Sequence, residues 1–330
     1  MPVPAGYRHR VSTASPATAD LDRSVRRPDP VDVAADPEIG RQVHDLLAPA
    51  FAGDRPGRSP VEVVDIGANP IDGDPPYRPL LDAGCCRVTG FEPQAPALAD
   101  LRERAGPAER YLPYAVGDGG RHILHLCATS GFASLLEPDA AQLDLLIDFP
   151  QLARVTGREP VQTHRLDAIA EIAEIDYLKI DIQGGELPVL AAGRGRLGGA
   201  VAVQTEVGFH RLYRDQPTFA DVDLELRSQG FVPHRFVTTR TWPIAPVVWA
   251  DPLERYARQL VEADLLYVRD PVHLDEYTDA QLGRLALIAD IAYGSFGLAL
   301  RCVVALIDRG VLDRTAQDRY RRLAAGRLPG

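Results

Sequence analysis

Acidic residues recur at the ends of short apolar stretches that have the composition of buried strands. Five of them fall at or just past such ends: Asp65, Glu92, Asp118, Asp181 and Glu206. In a parallel α/β sheet these ends meet at one edge, and ligands bind beyond that edge where the strand order reverses. The pattern therefore predicts one pocket that contains several carboxylates.

The loop after the first stretch distinguishes two classes of nucleotide cofactor. A dinucleotide site needs the pattern Gly-x-Gly-x-x-Gly, with the pyrophosphate at the start of the next helix. Here the string begins at Gly67, and Asn69 and Asp72 stand where the later glycines should be. Asp72 and Asp74 would repel a pyrophosphate. A cofactor that has a zwitterionic part and a further positive charge is a better electrostatic match for an acidic pocket. Glu92 is placed to accept hydrogen bonds from two ribose hydroxyls.

Lys179 is the only lysine among 36 basic residues. Period-two alternation puts it on one strand face with Tyr177 and Asp181. A compact ammonium inside a strand fits two roles. It could form a buried ion pair that orients Asp181 or Glu206, or it could contact the substrate directly.

Six segments together resemble the FkbM family of S-adenosylmethionine-dependent methyltransferases. They extend in order over residues 61–237, and the most specific part is IDIQGGE (180–186). The segments are VDIGAN (64–69), FEP (91–93), YAVGD (114–118), IDYLKIDIQGGE (175–186), TEVGFHRLYRDQPTF (205–219) and QGF (229–231). One departure from the family pattern is Ile71, because members commonly have Gly at that position, and an insertion follows it here.

The resemblance implies S-adenosyl-L-methionine as cofactor and O-methylation of a sugar, glycan or secondary metabolite as the usual activity. It also assigns cofactor contacts residue by residue. The methionine part would be surrounded by Asp65, Gly67, Ala68 and Asn69, the ribose would be bound by Glu92, and the adenine would lie against Val116 and Asp118. Two alternatives are an NAD(P)-dependent Rossmann oxidoreductase and a non-catalytic, methyltransferase-like scaffold.

Methyl transfer to an alkyl hydroxyl needs a base within hydrogen-bond reach of the acceptor proton. Asp181, Glu206 and His210 are the candidates, all near the ends of the fourth and fifth strands. Histidine is the side-chain type whose ordinary pKa is nearest neutrality, so His210 would be the easiest base. With Lys179, these three form the predicted catalytic group. The scattered histidines lack metal-ligand spacing, so no metal is predicted; a magnesium ion held by Asp181 and Glu206 is the alternative.

Strand-like and helix-like stretches alternate along the chain, which predicts an α/β architecture. We expect a Rossmann-like class I methyltransferase fold: a seven-stranded, mostly parallel sheet with helices on both faces, plus a C-terminal helical extension. The resemblance adds that the last strand is antiparallel. The seven stretches are 61–67, 86–91, 111–116, 175–181, 200–207, 231–237 and 263–270.

Composition divides the chain into four parts. We expect a mobile N-terminal tail over 1–36, a leading helix and linker over 37–60, the methyltransferase domain over 61–272 and the helical extension over 273–330. Two apolar helices in the extension, around Leu282–Ile291 and Leu298–Ile307, would pack on the core or form a homodimer.

Charge and cysteine content limit the partners and the compartment. A formal charge of −10 argues against a nucleic-acid surface. The apolar stretch over 285–307 contains Asp290 and Arg301, so a membrane span is not expected. The 4 cysteines show no framework spacing and are expected to be reduced. We therefore predict a cytoplasmic protein that acts on a small molecule or a glycan.

Overall fold

The computed structural model describes residues 25–26, 36–69 and 73–328. The predicted mobile tail therefore lies outside the described residues, apart from Asp36 and a two-residue strand, β1, at Val25–Arg26.

Strands and helices follow the predicted alternation. The further strands are β2 Val61–Ile66, β3 Cys86–Phe91, β4 Glu109–Leu112, β5 Ala115–Gly117, β6 Arg121–Cys127, β7 Val155–Arg165, β8 Tyr177–Ile180, β9 Ala202–Gly208, β10 Phe231–Pro243 and β11 Arg258–Arg269. The α-helices are α1 Pro37–Leu47, α2 Arg78–Asp82, α3 Ala95–Arg104, α4 Ala140–Leu143, α5 Phe149–Leu152, α6 Glu186–Ala192, α7 Arg194–Leu197, α8 Phe219–Ser228, α9 Asp279–Leu287, α10 Phe296–Asp308 and α11 Ala316–Ala325.

The main sheet has the strand order β10-β11-β9-β8-β2-β3-β4, with β1 added beside β10. Six of these seven strands run parallel, and β11 runs antiparallel to both of its neighbours. The seven-stranded, mostly parallel sheet is thus confirmed, and the short β1 is an addition that was not predicted. The order reverses between β2 and β8, so ligands are expected beyond the ends of these two strands.

Helices cover both faces of this sheet, as their apolar alternation requires. Val63 points into one core, where α1, α2, α9, α10 and α11 pack. Its neighbour Val64 points into the other core, formed with α6, α7 and α8. Because successive strand residues face opposite sides, a run of buried β-branched residues such as that in β2 belongs in a sheet covered on both faces.

The third predicted strand, 111–116, is wrong as a single element. It divides at Pro113 and Tyr114 into β4, which pairs with β3, and β5, which pairs with β7 in a separate three-stranded sheet. The next strand, β6, belongs to the same small sheet and pairs antiparallel within it. Its partner is the distant β7, so residues 128–154 form a long excursion between the two strands; we call it the cover segment.

The C-terminal helices pack on the core, the first of their two predicted roles. Leu285, Cys302 and Val303 are fully buried in the cluster that includes Val63 of the sheet. A homodimer through these helices would have to use outward residues such as Arg301. Between α9 and α10, the π-helical turn Ile288–Ala292 leads to Tyr293, whose hydroxyl donates to Gln204 Oε1 of β9 at 2.7 Å.

Replacing Tyr293 with phenylalanine tests this connection. The Tyr293 hydroxyl is hydrogen-bonded to the side-chain amide of Gln204 and to the hydroxyl of Tyr177, and both partners are buried. The change removes both of these hydrogen bonds. An unsatisfied buried group costs about 1–3 kcal/mol, so the free energy of unfolding in urea should fall by that amount. Tyr256→Phe is the control, because Tyr256 is 87% exposed. Equal stability of the two variants would contradict the proposed link.

Within the described part of the chain, every helix is too short or too polar to cross a bilayer.

Candidate active site

Gly67 places the first loop against two neighbouring strands. Its φ of +81° is a backbone conformation that favours glycine, and a Cβ there would collide with the carbonyl oxygen of Asp181. The amides of Gly67 and Ala68 both donate to the Phe91 carbonyl at 3.1 Å. Glu92 follows Phe91 directly, so this loop, the end of β3 and the end of β8 meet at one edge. Two of the predicted cofactor contacts, Gly67 and Glu92, are therefore neighbours.

Lys179 supports the first loop from the side of β8. Its Nζ donates to the Gly67 carbonyl at 3.0 Å and lies 3.4 Å from Asp65 Oδ1. Tyr77 holds the other oxygen of Asp65, because its hydroxyl donates to Oδ2 at 2.7 Å. Burial alone would lower the pKa of Lys179, but the carboxylates of Asp65 and Asp181 outweigh it and raise that pKa.

The predicted partners of Lys179 were wrong. The ion pair is with Asp65 on the adjacent β2, where the two residues are register partners, and not with Asp181 or Glu206. The contacts of Lys179 are therefore with the end of β2 and the first loop.

Glu92 is 3% exposed and lies at the end of β3. Its Oε1 accepts from the Gln94 amide at 2.7 Å, which fixes the carboxylate beside the first loop. Within residues 36–69 and 73–328, no other hydrogen bond engages this carboxylate. Burial raises the pKa of Glu92. A carboxylate with one fixed and one open oxygen suits the recognition of a diol. Residues 70–72, where the sequence departs from the family pattern, lie outside the described residues.

Val116 and Asp118 lie at the end of β5. Val116 is buried in the core cluster that also contains Phe91, the residue whose carbonyl accepts from the first loop. Asp118 is exposed; its Oδ1 lies 2.8 Å from His122 Nε2 and accepts from the Gly120 amide at 2.7 Å. The hydrogen bond from His122 lowers the pKa of Asp118. These features match an apolar platform with an acceptor at its rim.

A group of three carboxylates lies past β8 and β9. Oxygens of Asp181, Glu186 and Glu206 lie within 4.8 Å of one another. Glu186 Oε1 accepts from the Ile182 amide at 2.9 Å, and burial raises the pKa of Glu186 to about 7. Burial also raises the pKa of Glu206, and the nearby Glu262 and Asp181 carboxylates raise it further. Asp181 is the most accessible of the three.

His210 lies two residues beyond β9. Its Nε2 lies 3.2 Å from the Gln142 carbonyl of α4, in the cover segment. Among the described residues no hydrogen bond joins it to Asp181 or Glu206. A ring nitrogen that faces a carbonyl oxygen carries the proton, so Nε2 is a donor here.

Gln183 and Tyr213 lie beside the three carboxylates, and neither was predicted from the sequence as a site residue. The Tyr213 hydroxyl lies 3.2 Å from Gln183 Oε1, and Tyr213 is 1% exposed. Gln183 belongs to the most specific of the six segments, which was the available signal. Tyr77 was missed too, because its contact with Asp65 crosses a loop of uncommon sequence.

Comparisons with known proteins identify the family of the chain. The family model "Methyltransferase FkbM domain" matches residues 65–233, more than half of the chain. The 2-O-methyltransferase NoeI of Sinorhizobium fredii is 32% identical over 171 residues, which cover 49% of this chain and 70% of that protein.

Among solved structures, an FkbM methyltransferase from Methylobacillus flagellatus is 15% identical, covering 67% of this chain and 47% of that one with a TM-score of 0.33. Magnesium protoporphyrin IX methyltransferase from Synechocystis, with bound S-adenosylmethionine, is 12% identical, covering 70% and 79% with a TM-score of 0.32. The extent of the family match and the identity to the curated relative decide the assignment. The chain belongs to the FkbM family of S-adenosylmethionine-dependent methyltransferases.

Proposed function

We propose that this enzyme methylates a hydroxyl of a sugar, glycan or secondary metabolite, with Asp181 accepting the hydroxyl proton. One observation carries the proposal: the backbone of Asp181 is in contact with Gly67, so the acidic turn after β8 adjoins the loop assigned to the methionine part of the cofactor. The resemblance to a 2-O-methyltransferase supports oxygen as the acceptor atom.

The cofactor side of the pocket would be formed by the residues predicted from the sequence. Bound S-adenosylmethionine supplies a methyl group on a sulfonium sulfur. Asp65, Gly67, Ala68 and Asn69 would hold its methionine part, with Lys179 and Tyr77 fixing Asp65. Glu92 would accept from the ribose, while Val116 and Asp118 would border the adenine.

Three candidates for the proton acceptor differ in their surroundings. The burial of Glu206 and its acidic neighbours raise its pKa, which favours the protonated form. His210 directs Nε2 at a carbonyl oxygen of the cover segment. Asp181 is more accessible than Glu206 and adjoins the first loop. It is therefore the best placed to take a proton as the acceptor oxygen attacks, with Glu206 beside it to bind acceptor hydroxyls.

The acceptor would lie between the carboxylate group and the cover segment. Phe132, Phe149 and Trp242 form an aromatic cluster there, in which Phe149 packs 5.2 Å from Phe132 and 4.8 Å from Trp242. A closed apolar wall excludes water, and alignment of the acceptor with the methyl group supplies much of the rate.

The described cysteines are free and buried, which supports a cytoplasmic location.

An assay with methyl-labelled S-adenosylmethionine tests the proposed function. Methyl glycosides, oligosaccharides and hydroxylated aromatic compounds serve as acceptors, with amine and thiol analogues of the same size beside them. We expect label on oxygen in at least one hydroxyl acceptor. Label on nitrogen or sulfur alone would contradict the proposal, and binding of S-adenosylhomocysteine without any transfer would favour a scaffold.

Replacing Glu92 with glutamine tests the ribose assignment separately. An amide keeps the size of the side chain but turns an acceptor oxygen into a donor, which cannot pair with a hydroxyl in the same way. A hydrogen bond to a charged group contributes about 1.5–3 kcal/mol. Its loss should therefore raise the dissociation constant of S-adenosylhomocysteine by about 10- to 100-fold. Glu103→Gln on the exposed side of α3 is the control. Unchanged affinity in the Glu92 variant would exclude the role.

A further inference from the structure

Gln183 lies in the turn between β8 and α6 with an unusual backbone. Its φ is +59°, in the left-handed region that side-chain-bearing residues rarely adopt. Gly184 and Gly185 follow it. Such a conformation persists only where surrounding contacts hold it.

The side-chain amide of Gln183 connects two carboxylates. Nε2 donates to Asp181 Oδ1 at 3.1 Å and to Glu206 Oε2 at 3.0 Å. Both protons of the amide are therefore used on the two acids. Without this shared donor, the two acid side chains would lose the contact that fixes their orientation relative to each other.

The other polar atoms of Gln183 attach it to the cover segment. Its carbonyl oxygen accepts from Ser134 Oγ at 2.7 Å, and Ser134 is 1% exposed. Its Oε1 lies 3.2 Å from the Tyr213 hydroxyl, which is also 3.2 Å from the Phe132 carbonyl. The amide is thus fixed on both sides, so it cannot rotate to present oxygen to the acids.

We infer that Gln183 is a positioning residue: it orients the carboxylates of Asp181 and Glu206 toward the acceptor and couples their orientation to the cover segment. This inference rests on the proposed function, because the orientation matters only if Asp181 takes the acceptor proton. Gln183 itself need not touch the substrate.

Gln183→Met is the test, since methionine keeps the length of the side chain and the same backbone strain but has no donor. Using the acceptor found in the labelled-methyl assay, we expect kcat to fall about 100-fold, the loss typical of small misplacements. The acid limb of the kcat profile should move to higher pH, because a carboxylate that loses a donor binds its proton more tightly. Affinity for S-adenosylhomocysteine should stay within twofold.

Carbon-13 NMR of labelled Asp and Glu carboxyls gives a readout that needs no acceptor. Asp181→Asn and Glu206→Gln assign the two signals, whose titration midpoints should both rise in Gln183→Met. Gln229→Met is the matched control: Gln229 Nε2 also makes two hydrogen bonds, to Leu190 and Glu225, outside the acidic group. It should leave both midpoints and kcat unchanged.

Tyr213→Phe is the second variant, because it removes only the hydroxyl near Gln183 Oε1. Because the Gln183 amide would then be held on one side only, we expect kcat to fall by about fivefold, less than in Gln183→Met. Unmoved midpoints in Gln183→Met, or a parallel loss of cofactor affinity, would overturn the inference. Failure of the proposed function would look different: the wild type would transfer no label to oxygen, whatever the midpoints did.

Discussion

Replacing Gly67 with alanine should weaken the binding of S-adenosylmethionine by at least about 100-fold. The backbone at Gly67 has a φ of +81°, which costs an L-residue about 1–2 kcal/mol. The added Cβ would also meet the Asp181 carbonyl, which is backbone and cannot move aside. The first loop must therefore shift away from β8 and break the contact of Lys179 with the Gly67 carbonyl. Titration calorimetry with S-adenosylhomocysteine should show affinity at least about 100-fold weaker.

Gly84→Ala is the control that separates the effect of backbone strain from the effect of a collision between the added Cβ and its neighbours. Gly84 has a φ of +71°, yet a Cβ there would have no atom within 4 Å. This control should lower the melting temperature modestly and leave cofactor affinity unchanged. If Gly67→Ala bound the ligand within threefold of wild type, the first loop could not be the cofactor site.

The main sheet could be predicted from sequence because its strands are short apolar runs bounded by breakers. The stretch 86–91 became β3 without change, and 61–67 differs from β2 by one residue. Buried parallel strands must be apolar on both faces, which leaves a strong local signal.

The division of 111–116 was not predictable in this way. Pro113 lacks an amide proton and cannot continue a ladder, which is a local cue. The second half, however, pairs Ala115 with Thr163 and Val116 with His164. Nothing in the residues near Val116 indicates a partner so distant along the chain.

Positions in the site were predictable, but contacts were not. The ends of the strands place Asp65, Glu92, Asp181 and Glu206 at one edge of the main sheet, independently of the contacts that their side chains make. The partner of Lys179 depends on the register between β2 and β8, which pairs Asp65 with Lys179. That register is set by packing across the whole sheet. For the same reason the contact of His210 with the cover segment could not be foreseen.

Asp181→Asn should reduce kcat by about 100- to 10,000-fold, the range for loss of a general base. Asparagine has the same shape and can still accept from Gln183 Nε2, so the turn after β8 should keep its conformation. The amide cannot take a proton at neutral pH, whereas the change leaves Gly67 and Glu92, which are assigned to the cofactor, in place. S-adenosylhomocysteine affinity should therefore stay within threefold.

The labelled-methyl assay measures kcat for this variant beside Asp100→Asn, an exposed aspartate on α3 that should behave as wild type. If Asp181→Asn kept kcat within tenfold, the proton would have to pass to Glu206 or His210 instead. The pH dependence of the remaining activity would then test Glu206, because burial and acidic neighbours raise the pKa of Glu206. A base with a raised pKa is ionised only at higher pH, so activity of the variant through Glu206 would increase as the pH is raised above neutrality.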